Sequence, residues 1–213
     1  MANTQDFITY AQQYVPKFKV AFKDKSLFMK LLSYVLFFNK EFMTRYITTI
    51  GYTVYVPTEA EYLANPENYL HILTHEFVHM MDYKKYNLLF SLSYMLPQSL
   101  AIFSLLSFVA IHYSLLWLLC LFFLVFAAPL PAYFRSHWEL RGYTMSAAFD
   151  YWKYNSLATP DVYLDRFTDS GYYFMWPFKK NMTNRLQAQF DKVKDNSILT
   201  DQTFKIVHDY LKS

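Results

Sequence analysis

The stretch LTHEFVHMMD, residues 73–82, places two histidines four residues apart and a glutamate directly after the first. On a helix, His75 and His79 would lie one turn apart on one face, where both can bind a single cation. Glu76 would then reach a water bound to that cation without binding the cation itself. Zinc lowers the pKa of such a water, and a neighbouring glutamate can take its proton. The stretch therefore indicates either a catalytic zinc site or two ordinary helix histidines satisfied by their neighbours.

The residues around this stretch predict its local structure. NPEN, residues 65–68, offers Asn as a helix cap and Pro at the first helical position, so a helix should run from about Pro66 to Lys85. RYITTIGYTVYVP, residues 45–57, is rich in β-branched and aromatic residues and predicts one strand or a tight pair of strands. The chain before it, residues 5–40, is predicted to be helical.

Within that N-terminal part, SLFMKLLSYVLFF, residues 26–38, is apolar but too short to span a bilayer. Two interpretations stay open for it. It lies in the membrane interface beside anionic lipid, or it packs on the core of the domain. After residue 134 the pattern predicts further helices at about 135–154, from Thr159-Pro160 onward, at 178–195 and at 200–212.

Residues 86–134 contain no Asp, Glu, Lys or Arg. A bilayer-spanning helix needs about 20 apolar residues, so this run is long enough for two. We predict a transmembrane hairpin with helices at about 88–111 and 115–134, and with a kink at Pro97 in the first. Basic residues flank both ends of the run, and such residues favour the cytoplasmic side. The alternative is a helical hairpin buried in a soluble core or in an oligomer.

A catalytic zinc needs a third protein ligand and an open position. Two nearby residues fit poorly. His71 is eight residues before His79, about 12 Å along the helix axis, which is too far for one ion. Asp82 lies beyond His79 and is better suited to a hydrogen bond to that histidine than to ligation. The third ligand should therefore come from elsewhere in the chain.

FRSHWELRGY, residues 134–143, is the expected source of that ligand. A hairpin with two spans returns the chain to the side that it left, which brings Glu139 back beside the histidine pair. His137 is the rival ligand. The alternative role for Glu139 is an ion pair with Arg135, four residues earlier on the same helix.

In this order of features the chain resembles the integral membrane zinc metalloproteases of the HtpX and CAAX prenyl protease group, which are glutamate zincins. In that group HExxH is followed by a transmembrane hairpin, and then by a helix bearing E-x-x-A-D, whose glutamate is the third zinc ligand. The resemblance covers about residues 44–150. It implies His75, His79 and Glu139 as ligands of Zn²⁺, and Glu76 as the general base.

ELRGY departs from the motif of that group at two positions. Gly142 replaces the alanine, and Tyr143 replaces the aspartate that supports a ligand histidine. Asp82 is the candidate to substitute for that aspartate. The reaction also needs a donor to the tetrahedral oxyanion. Tyr143 is the first candidate for this donor, and Tyr172 or Tyr173 is the second.

The whole chain has 213 residues, of which 54% are hydrophobic and 21% aromatic, with a net charge of +3. This composition argues against a disordered chain and gives no case for binding nucleic acid. We predict a mostly α-helical fold with a small β-sheet, in which a zincin-like metalloprotease domain is interrupted by a two-helix transmembrane hairpin. Residues 1–87 would carry the HExxH helix, 88–134 the hairpin and 135–213 the third ligand.

The predicted function is a membrane-anchored zinc metallopeptidase, most simply an endopeptidase, with its active site facing the cytoplasm. Its partners would be a protein or peptide substrate and the lipid bilayer. Two other classes stay open. One is a membrane-embedded structural or interaction protein in which HEFVH is coincidental or binds metal without catalysis. The other is a metal hydrolase that acts on something other than peptides.

Overall fold

The computed structural model describes residues 3–36, 39–169 and 175–213, which form a mostly helical fold with a three-stranded sheet. The α-helices are α1 Thr4–Ala11, α2 Leu27–Val35, α3 Glu59–Ala64, α4 Pro66–Tyr86, α5 Leu88–Met95, α6 Tyr133–Tyr154, α7 Asp161–Thr168, α8 Lys179–Lys194 and α9 Gln202–Lys212. The 3₁₀ helices are Gln98–Ile111, Leu115–Ala127 and Ser197–Thr200. The strands are β1 Lys19–Phe22, β2 Thr48–Ile50 and β3 Thr53–Val56. The prediction of a mostly α-helical chain with a small sheet is confirmed.

The sheet has the strand order β1-β3-β2, with β3 parallel to β1 and antiparallel to β2. Ile50 pairs with Thr53, so a two-residue turn joins β2 to β3. Gly51 in that turn has a φ of 59°, a left-handed conformation that glycine adopts without a steric cost. The tight strand pair predicted for residues 45–57 is therefore present, and β2 forms one edge of the sheet.

The strand β1 corrects the prediction that residues 5–40 are helical throughout. It pairs in parallel with β3, from Lys19 opposite Thr53 to Phe22 opposite Val56. Its partner lies more than thirty residues away in the chain, so no local pattern shows the pairing. The tertiary contact overrides the weak helical preference of this short segment.

The two long helices α4 and α6 lie side by side, and their contact forms the centre of the fold. From α4, Leu73 and Phe77 are fully buried in the main core, together with Met145 and Phe149 of α6. This core also takes in side chains of α1, of the sheet and of α9. Burying several large apolar side chains from each helix fixes the two helices relative to one another.

The other side of α6 packs on the C-terminal helices in a second core. Leu140 and Ala147 of α6 contact Phe167 of α7, and also Leu186 and Phe190 of α8. The helix α6 therefore packs on α4 at one side and on α7 and α8 at the other.

Caps set the start of the helices that lead to the HEFVH stretch. The Thr58 side chain accepts a hydrogen bond from the Glu61 amide at 3.2 Å and so caps α3. The helix α4 begins at Pro66, as predicted. Asn65 does not cap α4 with its side chain, which donates to the Glu61 carbonyl at 3.2 Å instead.

The run without charges differs from the predicted pair of continuous helices. The first segment breaks after α5, and a bend of 83° separates Leu88–Met95 from Gln98–Val109. The expected kink at Pro97 is thus confirmed, since proline has no amide hydrogen to continue the helix. The second segment ends at Ala127 and not at residue 134. Prolines at 129 and 131 follow it.

Among the residues that the structure describes, no single helix has both the length and the apolar character needed to cross a bilayer. The bent pair Leu88–Met95 and Gln98–Val109 meets both requirements only when its two parts are taken together.

Candidate metal centre

Two histidines of α4 face α6 with their Nε2 atoms 3.2 Å apart. His75 and His79 achieve this because residues four apart stand one above the other on a helix. Both are shielded from solvent, with 12% and 9% of the respective side chains exposed. The pair forms one half of a site at the helix contact.

Glu139 of α6 completes a group of three side chains. Its Oε2 atom lies 3.7 Å from His75 Nε2, and its Oε1 atom lies 3.8 Å from His79 Nε2. One ligand atom from each residue falls within 4.8 Å of the others, so the group could hold a metal ion. Ligand atoms bound tetrahedrally to zinc at 2.0–2.1 Å lie about 3.3–3.4 Å apart, and the 3.2 Å between the two histidine Nε2 atoms is close to that spacing.

The three groups also fit a cation electrostatically. Burial raises the pKa of the Glu139 carboxyl, but its hydrogen bond with His75 and the charges of the two histidines lower that pKa to about 2. Burial lowers the pKa of His75, whereas Glu139 and Glu76 raise it above its ordinary value by a larger amount. The site therefore holds a buried carboxylate between two imidazoles, an arrangement that attracts a proton or a metal ion.

The orientation of the His75 ring depends on Ser146 of α6. The Ser146 hydroxyl lies 3.2 Å from His75 Nδ1, and the serine is buried. A partner at Nδ1 fixes the ring and leaves the Nε2 lone pair for a metal. Ser146 lies seven residues after Glu139, so α6 supplies both the carboxylate beside His75 Nε2 and the hydroxyl beside His75 Nδ1.

The His75 ring occupies the space that a side chain at residue 142 would fill, and Gly142 leaves that space open. A Cβ atom at residue 142 would lie 2.5 Å from His75 Nε2, far inside the normal contact distance. The imidazole is therefore packed directly on the backbone of α6. A residue with a side chain at this position would force the ring to move.

The prediction that Asp82 supports His79 is wrong. Asp82 Oδ2 accepts a hydrogen bond from Arg141 Nε at 3.0 Å, and Arg141 also binds Asp201 Oδ2 at 2.8 Å. These bonds tie α4, α6 and the start of α9 together. His79 Nδ1 is buried and has no hydrogen-bond partner among the described residues.

Tyr94 is a site residue that the sequence did not indicate. It lies on α5, and its hydroxyl donates a hydrogen bond to Glu139 Oε1. The neighbouring Ser93 accepts a bond from Trp138 Nε1 at 3.0 Å, so α5 is attached to α6 at two adjacent positions. Tyr94 lies in the apolar run, where nothing in the local sequence distinguishes it from an ordinary membrane or core residue.

Glu76 lies beside the three-residue group without belonging to it. Its Oε2 atom accepts a hydrogen bond of 2.7 Å from the Thr49 hydroxyl, and its side chain is half-buried. Thr49 belongs to β2, so the edge strand and the glutamate are directly linked. This contact was not predicted, because it joins residues from separate elements.

The other candidate residues occupy different positions. The Tyr143 ring packs edge-on against His75 with ring centres 4.9 Å apart, and its other neighbours include Phe167 of α7. His137 is largely exposed and lies outside the three-residue group. Arg135 donates hydrogen bonds to the Tyr94 carbonyl and to Gln98 Oε1, and the described residues show no ion pair between Arg135 and Glu139.

His71 takes no part in the group, as predicted from its distance along the helix. Its Nε2 atom lies 3.6 Å from Asp150 Oδ2, and its ring packs edge-on against Phe149. Tyr172 and Tyr173, the second candidates for an oxyanion donor, lie outside the described residues.

Comparison with known proteins gives no match to any family model, any curated protein or any solved structure. The interpretation of the site therefore depends on its own geometry and chemistry.

Proposed function

We propose that this protein is a membrane-anchored zinc metallopeptidase that hydrolyses peptide bonds. The observation that carries this proposal is the meeting of His75, His79 and Glu139 around one point, with Glu76 beside them but outside the ligand set. Three protein ligands and an adjacent free carboxylate are what a hydrolytic zinc site requires. The proposal includes a zincin-like fold and a distant relationship to the membrane-bound glutamate zincins.

Each polar residue has a separate role in this reaction. Bound zinc would supply Lewis acidity, polarising the scissile carbonyl and lowering the pKa of a water. Glu76 accepts the proton of the attacking water and then delivers it to the leaving amine. Its Oε2 atom is engaged by Thr49, which leaves Oε1 for proton transfer. Tyr143 remains our candidate donor to the oxyanion, and Tyr94 is a second phenol close to the ligands.

The edge strand β2 is the proposed binding surface for the substrate. One side of β2 pairs with β3, and its Thr49 contacts Glu76. An extended peptide added along such an edge would be held by main-chain hydrogen bonds. It would then run past the proposed general base, which favours a peptide over a small polar substrate.

The apolar segment between α5 and α6 is the proposed membrane anchor. The 3₁₀ helices Gln98–Ile111 and Leu115–Ala127 have 14 and 13 residues. At about 2.0 Å per residue they extend about 28 and 26 Å, close to the roughly 30 Å of a bilayer core. Large apolar side chains on both segments are exposed, among them Ile102, Phe103, Leu105, Phe108, Leu115, Leu116, Leu119 and Phe122.

A hairpin of two spans leaves both halves of the metal site on one side of the membrane. Lys84 and Lys85 precede the apolar run and Arg135 follows it. Basic residues that flank a membrane span tend to stay in the cytoplasm, which supports a cytoplasmic position for the site.

The proposal is tested by measuring zinc content and cleavage of a labelled unfolded protein for paired variants. Glu76→Gln should keep about one zinc per chain and lose about 10²–10⁴-fold in rate, because it removes only the base. Glu139→Gln should lose zinc, because it weakens a ligand. Glu67→Gln, at an exposed position on the same helix, is the matched control and should change neither quantity.

Two outcomes would contradict the proposal in different ways. Normal cleavage by Glu76→Gln, or normal zinc content in Glu139→Gln, would show that these residues do not have the assigned roles. Zinc-dependent hydrolysis of esters or phosphates without any cleavage of peptides would instead identify a hydrolase of another class.

A further inference from the structure

The helix α2 carries an exposed apolar stripe that faces away from the rest of the protein. Five large side chains form it, each more than half exposed: Leu27, Phe28, Leu31, Tyr34 and Val35. At about 100° per residue they fall within an arc of about 120° on one side of the helix. Such a continuous apolar face marks an interaction surface.

The opposite side of α2 makes its contact with the protein. Met29 is fully buried, and it is the one buried residue of this helix. By the same helical geometry, Met29 points roughly opposite to the centre of the stripe. Within the described residues 26–36, Met29 is therefore the one side chain fully buried against the core, and the larger apolar face has no partner among the described residues.

The charges around α2 favour a lipid surface as the partner. Residues 16–40 contain lysines and a single acidic residue, Asp24. The exposed ones include Lys17, Lys19, Lys30 and Lys40. Lysines attract anionic lipid headgroups, whereas the cores of protein interfaces are depleted of lysine.

We propose that α2 lies in the membrane interface, with its apolar stripe in the headgroup region of a bilayer that contains anionic lipid. Amphipathic helices of this kind bury their apolar face about 5–10 Å into the boundary between headgroups and acyl chains. This contact is separate from the hairpin and involves neither the metal nor peptide hydrolysis. Together with the hairpin it gives the domain two points of attachment, which restricts how far the sheet can tilt from the membrane.

The test places a fluorescent label on the stripe of the intact chain in vesicles of phosphatidylcholine and phosphatidylserine. The background is Cys120→Ser, which removes the single cysteine. Leu31→Cys carries the label on the stripe, and Ser33→Cys carries it on the other side of the same helix. Tyr34→Cys provides a second stripe position in case one variant folds poorly.

Labels at residues 31 and 34 should be quenched by spin-labelled lipid and protected from aqueous iodide, and the label at residue 33 should escape quenching by lipid. Replacing phosphatidylserine with phosphatidylcholine should reduce the lipid quenching. Iodide quenching at residues 31 and 34 would show that the stripe faces water. Protection from both quenchers would show that a protein surface covers it. Either result overturns the proposal, and neither affects the zinc and cleavage measurements.

Discussion

Single side chains determine how closely the three residues of the candidate metal site approach one another. Gly142 lets the His75 ring rest on the backbone of α6, and the Ser146 hydroxyl lies within hydrogen-bonding distance of the ring at Nδ1. Tyr94 donates to the third member of the group, Glu139. Positioning of this kind matters because a ligand group must be held in place before a metal arrives.

Thr49 provides a similar restraint for the proposed base. Its hydroxyl donates to Glu76 Oε2 at 2.7 Å and holds one carboxylate oxygen in place. A hydrogen bond to a charged group contributes about 1.5–3 kcal/mol. The loss of this bond should therefore affect the reaction without affecting the metal.

We predict that Thr49→Val, which keeps the shape and removes the hydroxyl, lowers kcat about tenfold or more and leaves KM and zinc content unchanged. Thr49→Ser should restore most of the rate because it restores the donor. Steady-state kinetics on one peptide substrate, together with metal analysis, measures all three quantities. A rise in KM alone, or no recovery with serine, would assign Thr49 to substrate binding or to folding.

At the scale of elements, a buried lysine joins β1 to the segment that leads into β2. Lys23 follows β1 directly and is fully buried. Its ammonium group donates to the carbonyls of Phe42 and Tyr46 at 2.7 and 2.9 Å, and it lies 3.9 Å from the centre of the Phe42 ring. These bonds fix the chain just before the edge strand that contacts Glu76.

The pH dependence of stability should report on this lysine. Burial lowers the pKa of Lys23 from 10.5 to about 8. Between these two values the unfolded chain keeps a proton that the folded chain has lost, so this residue makes stability rise with pH. Lys23→Met removes the titrating group, and the difference in unfolding free energy, wild type minus variant, should grow as the pH rises from about 8 to 10.5.

Denaturant titrations of both proteins in detergent at several pH values give this difference. Parallel stability curves for the two proteins across that range would show that the pKa of Lys23 is not lowered by folding.

At the scale of the whole molecule, the site forms where the two halves of the chain meet across the apolar segment. Phe103 and Phe123 pack with ring centres 5.4 Å apart, so the two 3₁₀ helices lie against each other. The helix α5 bends away from them and contacts α6 through Ser93 and Tyr94. The segment that we propose as a membrane anchor thus directly follows α5, which carries Tyr94 beside the candidate metal site.

A two-span hairpin predicts that its tip and the domain with the candidate metal site face opposite sides of the membrane. Tyr113, at the tip, is 83% exposed, and Gln187 is exposed on α8. In a chain lacking Cys120, we expect Tyr113→Cys and Gln187→Cys to react with an impermeant thiol reagent from opposite sides of sealed vesicles. Labelling of both positions from the same side would exclude the hairpin.

The sequence by itself determined the local features of this protein. The spacing of His75 and His79 placed both on one helix face, and the proline of NPEN marked Pro66 as the first residue of α4. These features depend only on backbone geometry within a turn or two of helix. The sequence also indicated Glu139 as the third residue of the site, because a two-span hairpin returns the chain to the side of the histidine pair. That inference needs only the order of the elements.

The tertiary structure alone decided which distant residues meet. The pairing of β1 with β3, the contact of Thr49 with Glu76 and the bond from Tyr94 to Glu139 all join separate elements. It also shows that Asp82 accepts a hydrogen bond from Arg141, whereas the sequence predicted a hydrogen bond between Asp82 and His79. Contacts of this kind arise because α4 packs against α6 and the sheet packs against α4. The order of residues along the chain does not show which side chains this packing brings together.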